Sequence, residues 1–253
     1  MPEVTSDDHT LAARLATNAG RMLIDLRARA AADGPDIDGK ALGREGDRRA
    51  HDLLMAGLAE ARPDDAVLSE EGVADPARLS ARRVWIVDPL DGTREYGEVP
   101  RADWAVHVSL AIDGDPVAGA VALPARDLTL ATDPAPPAPP AWGGPPRVLV
   151  SRSRPPVEAA RVAQALGGEL VPLGSAGAKA MAVVLGDADV YAHSGGQYEW
   201  DSAAPVAVAR AAGLHASRLD GSPLVYNRPD PYLPDLLICR PDLADQVIAA
   251  ARG

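Results

Sequence analysis

The sequence has no phenylalanine among its 253 residues, and aromatic side chains make up only 4% of it. Its core must therefore rest on leucine, valine, isoleucine and alanine. A single cysteine, Cys239, excludes an intrachain disulfide and a cysteine-rich zinc site. Its apolar surroundings read as a buried strand, not as the setting of a nucleophile. No apolar run approaches the ~20 residues needed to span a bilayer, and the polar, acidic N-terminus is unlike a signal peptide. These absences predict a soluble, cytoplasmic protein with no membrane partner. Positive charge is scarce too, and the formal net charge is −11. General nucleic-acid binding depends on phosphate neutralisation by Lys and Arg, so a nucleic-acid polymer is not an expected partner.

What the chain does have is a stretch suited to metal-assisted phosphate chemistry: Trp85-Ile86-Val87-Asp88-Pro89-Leu90-Asp91-Gly92-Thr93-Arg94-Glu95-Tyr96. The spacing predicts a buried strand over 84–87 that delivers Asp88 at its end. Pro89 stops the strand, and Asp91 returns toward the same point. Gly92 lets the backbone approach a ligand, and a helix starting near Thr93 would turn its free N–H groups to a phosphate. Two clustered carboxylates repel each other unless a cation sits between them, and hard oxygen ligands suit Mg²⁺. Read alone, Asp88 and Asp91 are equally well turn and cap residues, since Asp-Pro and Asp-Gly are common turn dipeptides.

Two more acidic sites follow apolar or precede helical segments. Ala66-Val67-Leu68-Ser69-Glu70-Glu71-Gly72 is a short strand running into paired glutamates. Glu199-Trp200-Asp201-Ser202-Ala203-Ala204 opens an alanine-rich helix, with Asp201 placed as its N-cap and Gly213 as its stop.

Together these segments resemble the inositol monophosphatase superfamily of Mg²⁺-dependent, lithium-sensitive phosphatases. Its signatures are an acidic pair after a strand, an Asp-Pro-x-Asp-Gly-Thr box and a late Trp-Asp-x-Ala box, found here in that order at Glu70-Glu71, Asp88–Thr93 and Trp200–Ala204. The inositol phosphatase branch usually continues Thr-Asn-Phe. Arg94-Glu95-Tyr96 instead resembles the 3′(2′),5′-bisphosphate nucleotidase branch, as does Gly174-Ser175-Ala176-Gly177-Ala178-Lys179, and the whole chain looks closest to the actinobacterial CysQ type.

The resemblance implies an α/β fold: an α+β N-terminal half and an α/β C-terminal half in a layered αβαβα sandwich. It implies that Glu70, Asp88 and the Leu90 carbonyl hold one Mg²⁺, and that Asp88, Asp91 and Asp201 hold a second. Thr93 and Glu70 would orient and deprotonate the attacking water, and Gly92 and Thr93 would cradle the phosphate. The family's Thr-x-x-Asp element, tied to a third, weaker ion, is incomplete in Leu42-Gly43-Arg44-Glu45-Gly46-Asp47, where Gly43 or Glu45 stands in the threonine's place. Asp47 is carried over as a catalytic residue set back from the ions, with the N-cap of the second helix as an equal alternative. Substrate contacts are expected from Asp91, Gly92, Thr93, Arg94, Ser151, Arg152, Ser175, Lys179 and Asp201, with Arg154 a further candidate. His107, on the strand face opposite Trp104, reads as structural, and His193, Tyr198 and Glu199 as weaker substrate-side candidates. The implied activity is removal of the 3′-phosphate of adenosine 3′,5′-bisphosphate, and of 3′-phosphoadenosine 5′-phosphosulfate, in sulfur assimilation, by a homodimer. The alternatives are an inositol-1-phosphate or fructose-1,6-bisphosphate phosphatase of the same superfamily, and a non-catalytic nucleotide sensor.

Periodicity predicts helices over 10–32 and 47–61, strands over 66–69, 84–87 and 104–112, and a hairpin through Asp113-Gly114 into 117–123. A proline-rich connection over 133–146 separates an N-terminal half, 1–132, from a C-terminal half, 147–253. In the second half, strands near Val148, Val171, Val190 and Leu237 alternate with helices at 157–166, 178–185, 202–212 and 242–251, which is α/β order.

Overall fold

The computed structural model describes residues 3–32, 34, 38–73, 75–140 and 143–252. The chain opens with two long helices, α1 (Ser6–Ala32) and α2 (Gly39–Ala61). Then come β1 (Ala66–Ser69), β2 (Arg83–Asp91), the single-turn α3 (Thr93–Gly97), β3 (Ala105–Ile112), β4 (Asp115–Leu123) and β5 (Leu128–Ala131). After the proline-rich stretch follow β6 (Arg147–Ser151), α4 (Val157–Leu166), β7 (Glu169–Leu173), α5 (Ala176–Val184), β8 (Val190–Tyr198) and α6 (Glu199–Ala211). The chain closes with β9 (His215–Ser217), β10 (Tyr232–Cys239) and α7 (Ala244–Arg252).

Among the described residues the strands form two five-stranded sheets, ordered β1-β2-β3-β4-β5 and β7-β6-β8-β10-β9. Strand alternation sorts side chains between layers. From the first sheet, Trp85, Val87, Val106, Val108 and Leu110 pack with Leu15, Leu23, Leu54 and Leu58 of α1 and α2. Its other face, including Val84, Ile86, Val121 and Leu123, meets Met181, Val183, Val206 and Val208 of α5 and α6, which also pack on Tyr191, Leu236 and Ile238 of the second sheet. The far face of that sheet, with Val148, Val150, Leu237 and Cys239, is covered by Val162 of α4 and Val247 of α7. The result is an αβαβα sandwich with α5 and α6 in the middle layer. Cys239 is buried in β10 and free. No helix among the described residues is long and apolar enough to cross a membrane.

Several boundaries differ from the periodicity. Helix α1 begins at Ser6 and α2 at Gly39, eight residues before the expected Asp47. Glycine is a poor helix former, so Gly39, Gly43 and Gly46 read as loop. Inside α2 they let α3 come close: a Cβ at 39 would lie 2.5 Å from Gly97 O, and one at 46 would lie 3.0 Å from Tyr96 Cε1. The N-cap is Asp38, whose carboxylate accepts the Lys40 and Ala41 N–H groups at 3.0 Å each. Asp47 is therefore not a cap. Asp201 is not one either: α6 begins at Glu199, and the Asp201 carboxylate accepts the Tyr198 N–H at 2.7 Å. The periodicity does not predict strands β5 and β9. Of the expected connection, residues 141 and 142 lie outside the described residues.

Candidate active site

Strand β2 does not stop at Val87 but runs to Asp91, because a bulge accommodates Pro89: Asp88 pairs with His107 and Asp91 with Ala105 on β3. Carboxylate oxygens of Asp88, Asp91 and Asp201 then lie within 4.8 Å of one another. Asp88 is fixed from behind, its Oδ1 accepting the Leu90 N–H at 3.0 Å. Glu70 follows β1, which pairs in parallel with β2, and its carboxylate reaches Asp88.

These acids destabilise one another's charges. Burial and then Glu70 raise Asp88 well above the usual carboxylate range. Burial and Asp91 raise Asp201 to about 7. Glu70 is exposed as a residue, yet desolvation of its carboxyl end, followed by the charge of Asp47, raises it to about 7. An all-oxygen cluster of this kind fits a hard divalent cation, which would relieve the repulsion.

Asp91 is the exception. Burial works against its charge, but His107, Ser175 and the Gly177 N–H outweigh it and hold the group at about 2. Oδ2 accepts from Ser175 Oγ at 2.5 Å and from Gly177 N at 2.6 Å, while Oδ1 accepts from Ala176 N at 3.1 Å. An acid of the first sheet thus caps α5, where the helix dipole favours negative charge.

Gly92 sits at φ 83°, a left-handed turn that starts α3. Thr93 Oγ1 donates to Leu90 O at 3.1 Å and approaches Asp47 Oδ1 at 3.5 Å. Burial and the charge of Glu71 raise Asp47 to about 7. The residue three before Asp47 is Arg44, so the threonine of the Thr-x-x-Asp element has no counterpart. Gly43, one turn before Asp47, instead lies against the Thr93 methyl.

A cleft of about 490 Å³ brings together Asp91, Gly92, Arg94, Ser151, Arg152, Ser175, Lys179 and Asp201. Thr93 lines the adjoining groove, with Lys40 and Arg44. The cations of the cleft are not equally free. Arg152 donates to Glu95 and Glu98 at 2.8 and 2.9 Å, and Arg94 pairs with Glu98. Lys179, buried and lowered to about 8 by desolvation, donates to Ser175 O, Gly174 O and Leu173 O at 2.6, 3.0 and 3.5 Å. Its ammonium ties the turn before α5, so the expectation of a free anion-binding lysine meets a group already occupied by carbonyls. Arg154 lines the cleft with no ion pair to its guanidinium among the described residues.

The profile of the Inositol monophosphatase family matches residues 7–133 and 147–252. The chain belongs to the inositol monophosphatase family. Within it, the chain is 51% identical over 257 residues to 3′-phosphoadenosine 5′-phosphate phosphatase of Mycobacterium leprae, covering 97% of this chain and 93% of that one. It is 33% identical to 3′(2′),5′-bisphosphate nucleotidase CysQ of Escherichia coli K12, over 74% of this chain and 80% of the relative. Among solved structures, CysQ of Bacteroides thetaiotaomicron superposes with a TM-score of 0.76 at 26% identity, over 92% of this chain and 97% of that one.

Within this family fold, the side chain that sequence reasoning placed apart from the site is His107. The Asp88↔His107 register brings it among the acids, a signal present in the alternation of β3 once the β2 pairing is known. Glu199 accepts the Asn227 and Arg228 N–H groups at 2.7 and 2.8 Å and holds the loop before β10, away from any ligand role. His193 hydrogen-bonds Gly195 O at 2.8 Å and lines the cleft, lowered to about 4 by burial and Lys179, hence a neutral ring.

Proposed function

We propose that this chain is a Mg²⁺-dependent 3′(2′),5′-bisphosphate nucleotidase that removes the 3′-phosphate of adenosine 3′,5′-bisphosphate, and of 3′-phosphoadenosine 5′-phosphosulfate, in sulfur assimilation. The observation that carries this reading is one cleft lined both by the acids Asp91 and Asp201 and by Ser151, Arg152 and Arg154. Such a cleft suits a small molecule with a reacting phosphate beside cations and a second anion further along. The Mycobacterium leprae and Escherichia coli relatives, a 3′-phosphoadenosine 5′-phosphate phosphatase and a 3′(2′),5′-bisphosphate nucleotidase, support the substrate part of this reading.

In this reading Glu70, Asp88 and the Leu90 carbonyl hold one Mg²⁺, and Asp88, Asp91 and Asp201 a second, with Asp47 beside a third, weaker position. When bound, the ions supply positive charge to the phosphate oxygens and acidify water. The chain's own groups do the rest. Thr93 Oγ1 can give its proton to Leu90 O or Asp47 Oδ1, so its lone pairs face the attacking water and orient it. Glu70 accepts the water's proton. Backbone N–H groups at Gly92 and Thr93 receive phosphate oxygens, and Ser175 holds Asp91 in place. Positioning and charge stabilisation carry such transfers, with no covalent intermediate. Residues 1–132 carry most ion ligands, 147–253 carry Asp201 and the specificity residues, and 133–146 connect them. The working unit is a cytoplasmic homodimer.

The test is phosphate release with Mg²⁺, with and without Li⁺, comparing adenosine 3′,5′-bisphosphate with inositol-1-phosphate and fructose-1,6-bisphosphate at matched concentrations. The expected outcome is a strong, Li⁺-sensitive preference for the nucleotide. Faster release from either sugar phosphate overturns the substrate assignment and leaves the ion site standing.

A further inference from the structure

We propose that His107 is a positioning residue of the ion site, its imidazole setting the separation between Asp91 and the helical turn that carries Asp201. The ring is fully buried and sits on β3 opposite Asp88. Nδ1 lies 3.0 Å from Trp200 O. A carbonyl only accepts, so Nδ1 carries the hydrogen. On its other side Nε2 lies 3.3 Å from Asp91 Oδ2, outside good hydrogen-bond geometry. The ring edge also abuts Gly177, where any Cβ would overlap Nε2. Three segments remote in sequence, the end of β2, the start of α5 and the start of α6, therefore meet on one side chain.

The neighbouring residues on this face of β3 are Ala105, Ser109 and Ala111. Burying an imidazole among them costs desolvation, and one well-formed hydrogen bond offsets only part of it. The ring's span explains its presence better than packing does. Asp91 Oδ2 is held by Ser175 and Gly177 with His107 Nε2 against it, while Oδ1 accepts only the longer bond from Ala176 N at 3.1 Å, which leaves Oδ1 the freer oxygen. His107 then braces that carboxylate against the backbone one residue before Asp201. The inference rests on the ion reading above, in which Asp91 and Asp201 share an ion that Glu70 does not touch.

The test is a calorimetric titration of the full chain with Mg²⁺, repeated with Mn²⁺ followed by electron paramagnetic resonance, for wild type and for His107→Leu, His107→Asn and His107→Gln. Asparagine keeps a donor at the Nδ1 position and glutamine places a polar group at the Nε2 position, so each retains one end of the brace. The expected result is that His107→Leu weakens one of two ions by roughly 10- to 100-fold and leaves the other unchanged. The two polar variants should give smaller losses at the same ion, with native circular dichroism. If the leucine variant does not fold, the asparagine and glutamine variants decide. Wild-type affinity for both ions in these folded variants overturns the inference, as does equal weakening of both ions. A wild-type chain that takes up neither ion overturns the ion reading itself, and this inference with it.

Discussion

Asp47 Oδ1 and Thr93 Oγ1 lie 3.5 Å apart, joining the middle of α2 to the first residue of α3. The approach depends on Gly43, where a Cβ would lie 2.7 Å from Thr93 Cγ2. Gly43→Ala should therefore push Thr93 off its position. Overpacking of this sort costs about 1–3 kcal/mol, but the larger effect should fall on turnover. We expect kcat for adenosine 3′,5′-bisphosphate to drop at least ~10-fold, comparable with loss of an orienting or proton-transfer group. Alanine's better helix propensity offsets about 1 kcal/mol of the overpacking cost, so the melting temperature should fall by several degrees at most, and Thr93→Val should lose kcat to a similar extent. Full kcat in Gly43→Ala would show that the Thr93 hydroxyl need not be held against Asp47.

The acidic cluster makes stability without ions depend on pH in a defined direction. Asp47, Glu70 and Asp201 are each raised to about 7, and Asp88 well above its ordinary value, by burial and by neighbouring carboxylates. An acid whose folded pKa lies above its unfolded value binds more protons in the folded state between the two values, so stability falls as pH rises through that window. Thermal unfolding in a chelator should give a melting temperature that declines between about pH 4 and pH 8. Mg²⁺ should restore more at pH 8 than at pH 5. At 100 times its dissociation constant an ion adds about 2.7 kcal/mol, which for a chain of this size is roughly 5–10 °C. A Mg²⁺ effect that shrinks with rising pH would count against the carboxylates as its ligands.

Much of this site was legible in the sequence because Glu70 and Asp88 follow short, continuous apolar runs that read as buried strands. Strand β1 before Glu70 and the run before Asp88 announce themselves. The layered sandwich followed from the family resemblance, and the α/β order after residue 147 agrees with it. What was hidden depends on pairing across the chain. The bulge that carries β2 past Pro89 exists only against β3, and the same register brings His107 to Asp88. The true start of α2 was masked by glycines that are unfavourable in an isolated helix and useful where α3 presses on it. The partners of Lys179 and Arg152 were likewise invisible. A basic residue near a helix start reads as an anion site until the carbonyls and glutamates around it are placed.

Those partners divide the basic residues of the cleft into two kinds. Arg152 binds Glu95, which is buried, and Glu98, so Arg152→Ala should lower the melting temperature by several degrees. Lys179→Met strands three carbonyls and should cost about 1–3 kcal/mol. Arg154 has no such ties among the described residues and faces the cleft. We expect Arg154→Ala to leave thermal stability unchanged and to raise KM for adenosine 3′,5′-bisphosphate roughly tenfold or more, the effect of one charge-assisted hydrogen bond of about 1.5–3 kcal/mol. Its effect on phosphomonoesters that carry no second phosphate should be small. Equal losses on both substrate classes would remove Arg154 from the second-phosphate site.

Asp88 separates stability from function most sharply. Its carboxylate is almost wholly buried and crowded by Glu70, Asp91 and Asp201. In the absence of ions its charge is a net liability, so Asp88→Asn should leave the melting temperature in chelator unchanged or raise it, most visibly above pH 7. Asparagine keeps an oxygen that can accept the Leu90 N–H, so the bulge should persist. It cannot supply the negative charge that two ions would share. We therefore expect phosphate release to fall below ~1% of wild type, and the thermal shift on adding Mg²⁺ to shrink or vanish. Circular dichroism, unfolding with and without Mg²⁺, and turnover on the same preparation distinguish the cases. A folded Asp88→Asn protein with near-normal turnover would mean that the reacting phosphate is activated elsewhere than at this cluster.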